Sequence, residues 1–291
     1  MRFYPGVLTA TVFSISVFAA DTLKVYISAD MEGIGGVSTW DVQALPKGRE
    51  YEKFRRLMTP EANAGIQGAF DAGATEVLVS DSHNDAQNID SELLDRRARL
   101  VRAWPRALGM MQGIDSTFAA AALIGYHGSE GNGNAVLSHT FSGKLAVALN
   151  GTSVPEAGFS AAVAGEFDVP VVFLSGDQSI GDEAKRLLGP IETAAVKQAL
   201  GFHSAIMIHP DIAQRMIREG IKRGIERRKE IRPFKLQRPV KLQLTFKDVV
   251  DAEIISFLPG VERLNGTNVV FTARDMIEAV RFMEGALHPT Q

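Results

Sequence analysis

The chain has 291 residues, a formal net charge of -3 and no cysteine. A net charge this small gives no reason to expect nucleic acid or an anionic membrane surface as a partner. A chain without cysteine is neither a disulfide scaffold nor a thiolate metal protein, so any metal site must use His, Asp and Glu, which favours zinc or a harder divalent ion.

The first 19 residues have the pattern of a secretory signal peptide. Arg2 is followed by an apolar segment, Val7 to Phe18, and by small residues that offer a cleavage site after Ala19. The apolar segment is short for a bilayer span, which needs about 20 residues. We therefore predict an exported protein, periplasmic or secreted, without stable membrane insertion; an uncleaved N-terminal anchor is the alternative. The remaining length favours two domains, which we place at 20–205 and 206–291.

The first predicted domain alternates between strands and helices. Leu23 to Ser28 and Glu76 to Ser80 are apolar runs that predict buried strands. Between them, Thr59 as N-cap and Pro60 at the first helical position predict a helix that ends at Gly73. This order favours a right-handed parallel βαβ unit. Further strands are predicted at 100–103, 121–125, 135–138, 145–149, 169–174 and 192–196, and helices at 156–166 and 182–188.

The pattern changes after residue 205. It predicts a long helix at 210–228 and then two strand–helix pairs, 240–246 with 249–257 and 269–272 with 273–287. The fold class is therefore predicted to be α/β, with an open, mainly parallel sheet flanked by helices and a smaller C-terminal α+β domain.

Polar residues collect where the predicted strands end. Asp30 and Glu32 follow the first strand one residue apart, so their carboxylates would face the same side and repel each other. His83 and His127 follow two further strands. Because ligands bind at the carboxyl edge of an open α/β sheet, these four side chains should converge there. Glu156 opens a helix after a tight turn and is placed to join them.

Two imidazoles and three carboxylates without thiols suit one or two zinc ions, which would offset the repulsion between Asp30 and Glu32. A shared proton, a basic side chain or solvent is the alternative. His139 ends another predicted strand near the same edge. Lys197 is interpreted as an ordinary solvated lysine.

Six segments, in chain order, are typical of one protein family: SADMEGIGG (28–36), RLMTPEANAGIQGAFDAGATEVLVSDSH (56–83), LIGYH (123–127), LSHT (137–140), PEAGFSAAVAGEFDVPVVFLSGD (155–177) and TAAVKQALG (193–201). They resemble the self-compartmentalising zinc D-aminopeptidases of the dipeptide-permease type. The resemblance implies two zinc ions per chain, with Asp30 bridging them, Glu32 and His83 completing one ligand set, and His127 and Glu156 completing the other. By the same resemblance, His139 is the additional active-site histidine, and the chain forms a homodecamer whose catalytic sites face an inner chamber.

The predicted function is zinc-dependent aminopeptidase activity on the N-terminal peptide bond of short peptides through a metal-activated water. A preference for D-residues is implied by the resemblance alone. His139 would stabilise the oxyanion or pass a proton to the leaving amine, and an unidentified carboxylate would hold the substrate ammonium. The alternatives are a dinuclear metal phosphoesterase, although the motifs place no Arg or Lys beside the ligands to hold phosphate, and an exported solute-binding or metal-binding protein.

Overall fold

The structure, a computed structural model, describes Met1 and residues 22–287. Apart from Met1, the predicted signal peptide over residues 1–19 lies outside the described residues. The strands are β1 (Lys24–Ala29), β2 (Glu76–Asp81), β3 (Ala98–Val101), β4 (Phe118–Tyr126), β5 (Leu145–Leu149), β6 (Thr152–Ser153), β7 (Val171–Asp177), β8 (Glu192–Gly201), β9 (Ser204–Met207), β10 (Val240–Phe246), β11 (Val261–Arg263) and β12 (Asn268–Ala273). The helices are α1 (Tyr51–Asp71), α2 (Glu156–Glu166), α3 (Gln178–Leu188), α4 (Pro210–Glu226), α5 (Val249–Ser256) and α6 (Met276–Leu287).

The larger sheet has the strand order β3-β2-β1-β4-β7-β8-β9, and all its neighbouring pairs are parallel except β8 with β9. The sequences of β1 and β4, KVYISA and FAAAALIGY, are nearly continuous apolar runs, because strands covered on both faces bury almost every side chain. Helices α1 and α4 pack on each other and on this sheet, which α2 and α3 also contact. The predicted mainly parallel α/β sheet is confirmed.

The smaller sheet is antiparallel, with the order β11-β12-β10-β5-β6. Strand β5 lies before residue 205 in the chain but pairs with β10, which lies after it. Conversely, α4 lies after residue 205 but packs on the larger sheet. The boundary predicted at residue 205 therefore does not coincide with the division between the two sheets. Local sequence patterns do not specify such pairing between distant segments.

The predicted start of α1 is wrong. The helix begins at Tyr51 and continues through Pro60, so Thr59 is not its N-cap. Tyr51, Phe54 and Met58 are buried in the core, and this packing extends the helix N-terminal to the proline. The Thr59 hydroxyl donates to the Arg55 carbonyl at 3.2 Å.

The strand predicted at 135–138 is also wrong, because this segment is an irregular loop. The Val136 amide donates to Asp177 Oδ2 at 2.7 Å, and the Leu137 amide donates to the Phe202 carbonyl at 3.0 Å. Leu137 has φ +51°, a left-handed conformation that a strand excludes. Within the part of the chain that the structure describes, no helix has the length and apolar character needed to cross a membrane.

Candidate metal centre

The carboxyl edge of the larger sheet has a crevice between β1 and β4. From β1 the chain proceeds to β2 on one side, whereas β4 lies on the other side of β1. The loops that follow β1 and β4 therefore diverge and leave a crevice between them. In open α/β sheets, ligands bind in such a crevice. Asp30 directly follows β1, His127 directly follows β4, and His83 lies two residues beyond β2.

All six predicted site residues lie together here, and each is at most 8% exposed. His83 Nδ1 is 3.2 Å from Asp30 Oδ1 and 2.9 Å from Glu32 Oε2. His127 Nε2 is 3.4 Å from Asp30 Oδ2 and 3.4 Å from Glu156 Oε2. Asp30 thus presents one carboxylate oxygen to each half of the cluster. The roles of these residues as ligands remain predictions.

His139 lies between the two halves of the cluster. Its Nε2 is 3.8 Å from Glu32 Oε1 and 3.6 Å from Glu156 Oε1. Its ring stacks on that of His127, with a centroid separation of 3.9 Å, and the Trp40 indole packs edge-on against it at 5.1 Å. Trp40 Nε1 also donates to Glu32 Oε1 at 3.2 Å, a contact that the sequence did not indicate.

One ring nitrogen of each histidine donates to a main-chain carbonyl: His83 Nε2 to Ala44 O (2.6 Å), His127 Nδ1 to Gly128 O (3.1 Å) and His139 Nδ1 to Leu137 O (2.8 Å). Because a carbonyl only accepts, these nitrogens carry the proton, and the other nitrogen of a neutral ring carries a lone pair. When the rings are neutral, as metal binding requires, their lone pairs therefore face the carboxylates. Metal-binding histidines are held in the same way in proteins.

Asp30 lacks full compensation from the protein. Burial, together with the charge of Glu32, raises the pKa of Asp30. Despite burial, which acts in the opposite direction, neighbouring histidines hold the pKa values of Glu32 and Glu156 below their usual range. Although burial opposes the change, Glu32 and Asp30 raise the pKa of His83 well above its usual value. Three buried atoms near the imidazoles make no hydrogen bond: Asp30 Oδ2, Glu32 Oε2 and His127 Nε2. Unpaired buried polar atoms are costly, and a bound cation would satisfy these carboxylate oxygens and this imidazole nitrogen.

The residues present fit a divalent metal. Two groups of three side chains bring one ligand atom each to within 4.8 Å of one another: Asp30, Glu32 and His127, and His127, His139 and Glu156. The donors are carboxylate oxygens and imidazole nitrogens, which suit zinc. Because His139 belongs to one of these groups, its assignment as a residue other than a ligand also remains a prediction.

The interpretation of Lys197 as a solvated residue is wrong. Lys197 is 2% exposed, and its Nζ donates to the main-chain carbonyls of Glu32, Ile34 (3.1 Å) and Val37 (2.6 Å). Burial lowers the pKa of Lys197 to about 8. The ammonium therefore fixes the loop that carries Glu32 through its backbone. Strand β8 extends beyond the predicted residue 196, which is why the sequence did not place Lys197 in the interior.

A glycine follows the acidic pair because main chain from β4 lies against it. The Gly33 amide donates to the Gly125 carbonyl at 2.7 Å, and a Cβ at Gly33 would lie 1.9 Å from the Tyr126 carbonyl oxygen. We expect Gly33→Ala to lower the free energy of unfolding by roughly 3 kcal/mol, because backbone must shift to accept the methyl group. The melting temperature should fall by roughly 6–12 °C in calorimetry.

Gly285→Ala provides the matched control for this prediction. Gly285 is an exposed glycine of α6, and a Cβ there meets no atom within 4 Å. Alanine is the better helix former, so this variant should melt at or slightly above the wild-type temperature. Equal melting temperatures for the two variants would show that the close approach at Gly33 is unimportant.

A cavity of about 400 Å³ opens beside the cluster. Besides site residues, its walls include two indoles, a thioether, a phenyl ring and two further carboxylates, from Trp40, Trp104, Met110, Phe141, Asp41 and Glu284. Among the described residues that line this cavity, none is lysine or arginine. Its volume suits a small ligand, and its charge favours a cationic ligand over a phosphate.

Comparisons with known proteins agree with this geometry. The family model described as D-aminopeptidase matches residues 23–285. The chain is 37% identical over 265 residues to the D-aminopeptidase of Bacillus subtilis strain 168, covering 90% of this chain and 95% of that protein. Its structure is similar to that of the Zn-dependent D-aminopeptidase DppA from Bacillus subtilis, which is described as a self-compartmentalizing protease. The TM-score is 0.88, with 34% identity over 91% of this chain and 97% of that chain.

Proposed function

Because the chain belongs to the D-aminopeptidase family, it is a zinc-dependent aminopeptidase, and we propose that it holds two zinc ions and acts on short D-residue peptides. The observation that carries the two-ion proposal is the position of Asp30. Its Oδ1 lies 3.2 Å from His83 and its Oδ2 lies 3.4 Å from His127, so one carboxylate serves both halves of the cluster.

In this proposal Glu32 and His83 would hold one ion, His127 and Glu156 would hold the other, and Asp30 would contribute to both. When bound, zinc acts as a Lewis acid that makes water a stronger nucleophile at neutral pH and polarises the scissile carbonyl. The positive charge also offsets the repulsion between Asp30 and Glu32. The backbone carbonyls of Ala44 and Gly128 keep the ligating nitrogens of the two histidines turned toward the site.

His139 is the proposed proton carrier. Its Nδ1 proton is engaged by the Leu137 carbonyl, so Nε2 is the atom that can take up a proton. With that proton, Nε2 donates to the oxyanion or to the amine that leaves when the peptide bond breaks. The packing of His127 and Trp40 around the ring fixes its orientation without additional hydrogen bonds.

The two alternative functions are not favoured. A phosphoesterase needs cationic groups to hold phosphate, and the described lining of the cavity offers carboxylates and aromatic rings instead. A solute-binding or metal-binding protein would not account for similarity to peptidases over nearly the whole chain.

The assembly and location of the protein are further parts of the proposal. The similar structure is that of a self-compartmentalizing protease, which supports an oligomer that encloses its catalytic sites. We propose a homodecamer with catalytic sites facing an inner chamber. Sedimentation of the purified protein should then give a mass of ten chains. The signal-like residues 1–19 precede the family match, which begins at residue 23, and they support export to the periplasm or medium. The exported chain should begin at Ala20.

The proposed activity is tested with purified protein and three compounds: D-alanyl-D-alanine, L-alanyl-L-alanine and p-nitrophenyl phosphate. Each is assayed before chelation, after chelation and after zinc is restored. We expect the D-dipeptide to be hydrolysed fastest, with activity lost on chelation and recovered with zinc. Full activity in metal-free protein would contradict the proposal. Faster cleavage of the phosphate ester would favour the phosphoesterase, and binding without turnover would favour the binding protein.

A further inference from the structure

The cavity contains two carboxylates that the zinc assignment does not use, Asp41 and Glu284. Asp41 is exposed, so solvent screens its charge. Glu284 is half-buried and lies on α6, far along the chain from the metal-binding residues. It nevertheless shares the cavity wall with His139 and Glu156.

The fold makes room for the Glu284 carboxylate. Gly109 has φ +55°, and a Cβ there would lie 2.5 Å from Glu284 Oε1. Any side chain at this position would therefore displace the carboxylate. Met110, the next residue, lines the same cavity. The carboxylate is thus seated against main chain at the cavity wall instead of extending into solvent.

The charge of Glu284 is poorly compensated by the protein. Burial raises the pKa of Glu284 to about 7, and Arg106 offsets this only in part. The guanidinium of Arg106 donates through Nε to the carbonyl of Ala103 (2.6 Å) and through Nη1 to the carbonyl of Asp81 (2.7 Å), and its Nη2 makes no hydrogen bond to Glu284. Among the described residues, no hydrogen bond or ion pair involves Glu284. A carboxylate in this setting gains most from a cation supplied by a ligand.

We propose that Glu284 binds the free ammonium group of the peptide substrate. This inference rests on the proposed peptidase function, because it assigns the group that distinguishes an aminopeptidase from a general peptidase. The three zinc-binding carboxylates are occupied by metal in that proposal, and Asp41 is screened by solvent. Glu284 is therefore the remaining carboxylate of the described cavity wall with a strong reason to attract a cation. Glu284 acts here as a specificity residue and not as a zinc ligand.

The test uses two substrates that differ only in the amine: D-alanyl-D-alanine and its desamino analogue, propionyl-D-alanine. In Glu284→Gln, loss of a charge-assisted hydrogen bond should lower kcat/KM for the amine substrate about 10- to 100-fold, mainly through a higher KM. The analogue should be hydrolysed as in the wild type, so the preference for the amine collapses. Glu284→Asp keeps the charge and should lose less.

Zinc content and melting temperature are measured for each variant. The matched control is Glu253→Gln, at an exposed carboxylate of α5, and its kinetics should equal those of the wild type. Titration calorimetry of D-alanyl-D-alanine in the zinc-loaded His139→Ala background, where turnover is slow, gives the same comparison from binding. If the wild type cleaves neither substrate, the proposed function fails, and weaker binding to Glu284→Gln still supports the ammonium site. An unchanged preference for the amine, or an equal fall in kcat for both substrates, would overturn the inference. The second result would instead make Glu284 a proton-transfer group.

Discussion

Asp30→Asn is expected to lower kcat/KM by about 10³-fold or more and to reduce bound zinc from two ions to at most one per chain. The wild-type carboxylate offers both oxygens, one 3.2 Å from His83 and the other 3.4 Å from His127. An amide offers one oxygen, and its NH₂ group cannot bind a metal. Loss of a catalytic metal removes several kcal/mol of transition-state stabilisation, which corresponds to a rate loss of about this size. Steady-state kinetics and elemental analysis measure both effects.

The stability of the metal-free proteins distinguishes loss of a metal ligand from unfolding as the cause. Burial and Glu32 raise the pKa of Asp30, which means that its charge is unfavourable where it lies. Metal-free Asp30→Asn should therefore be at least as stable as the metal-free wild type. Asp182→Asn, at an exposed position of α3, serves as the control and should keep both zinc ions and full activity. An Asp30→Asn enzyme with two zinc ions and wild-type kinetics would contradict the bridging role.

His139→Ala is expected to lower kcat about 10²- to 10⁴-fold, with both zinc ions retained and KM little changed. The proposed role places His139 Nε2 at the reacting groups and leaves metal binding to the other five residues. Its Nε2 lies 3.6 Å from Glu156 and 3.8 Å from Glu32, which places it beside the proposed metal ligands. Elemental analysis of the variant is as informative as its kinetics.

His203→Ala, at an exposed histidine after β8, is the control for His139→Ala and should behave as the wild type. A His139→Ala protein that binds only one zinc ion would show that His139 is itself a ligand. That outcome would agree with the close group formed by His127, His139 and Glu156. Wild-type activity in His139→Ala would remove both roles.

The position of the site was predictable because it follows from strand periodicity and one rule about parallel sheets. Apolar runs located β1, β2 and β4, and the polar residues after them had to meet at the same sheet edge. The acidic pair Asp30 and Glu32 identified the edge as one that needs a compensating charge. These three strands required no knowledge of distant contacts, since each is apolar enough to be recognised alone.

Other features depended on contacts between distant segments and were missed. Lys197 is a lysine like any other in the sequence, and only the course of β8 buries it beneath the loop of Glu32. Glu284 reaches the cavity because α6 packs beside α2, which no local pattern encodes. Helix α1 passes through Pro60 because buried residues before the proline stabilise a longer helix than its local signals indicate.

The account depends on a pair of cations held around Asp30. Anomalous diffraction at the zinc edge, from crystals of the zinc-loaded protein, tests this most directly. We expect two peaks per chain, one in contact with Asp30, Glu32 and His83, and the other in contact with Asp30, His127 and Glu156. A single peak in an active enzyme, or two peaks that leave Asp30 without a metal contact, would contradict it.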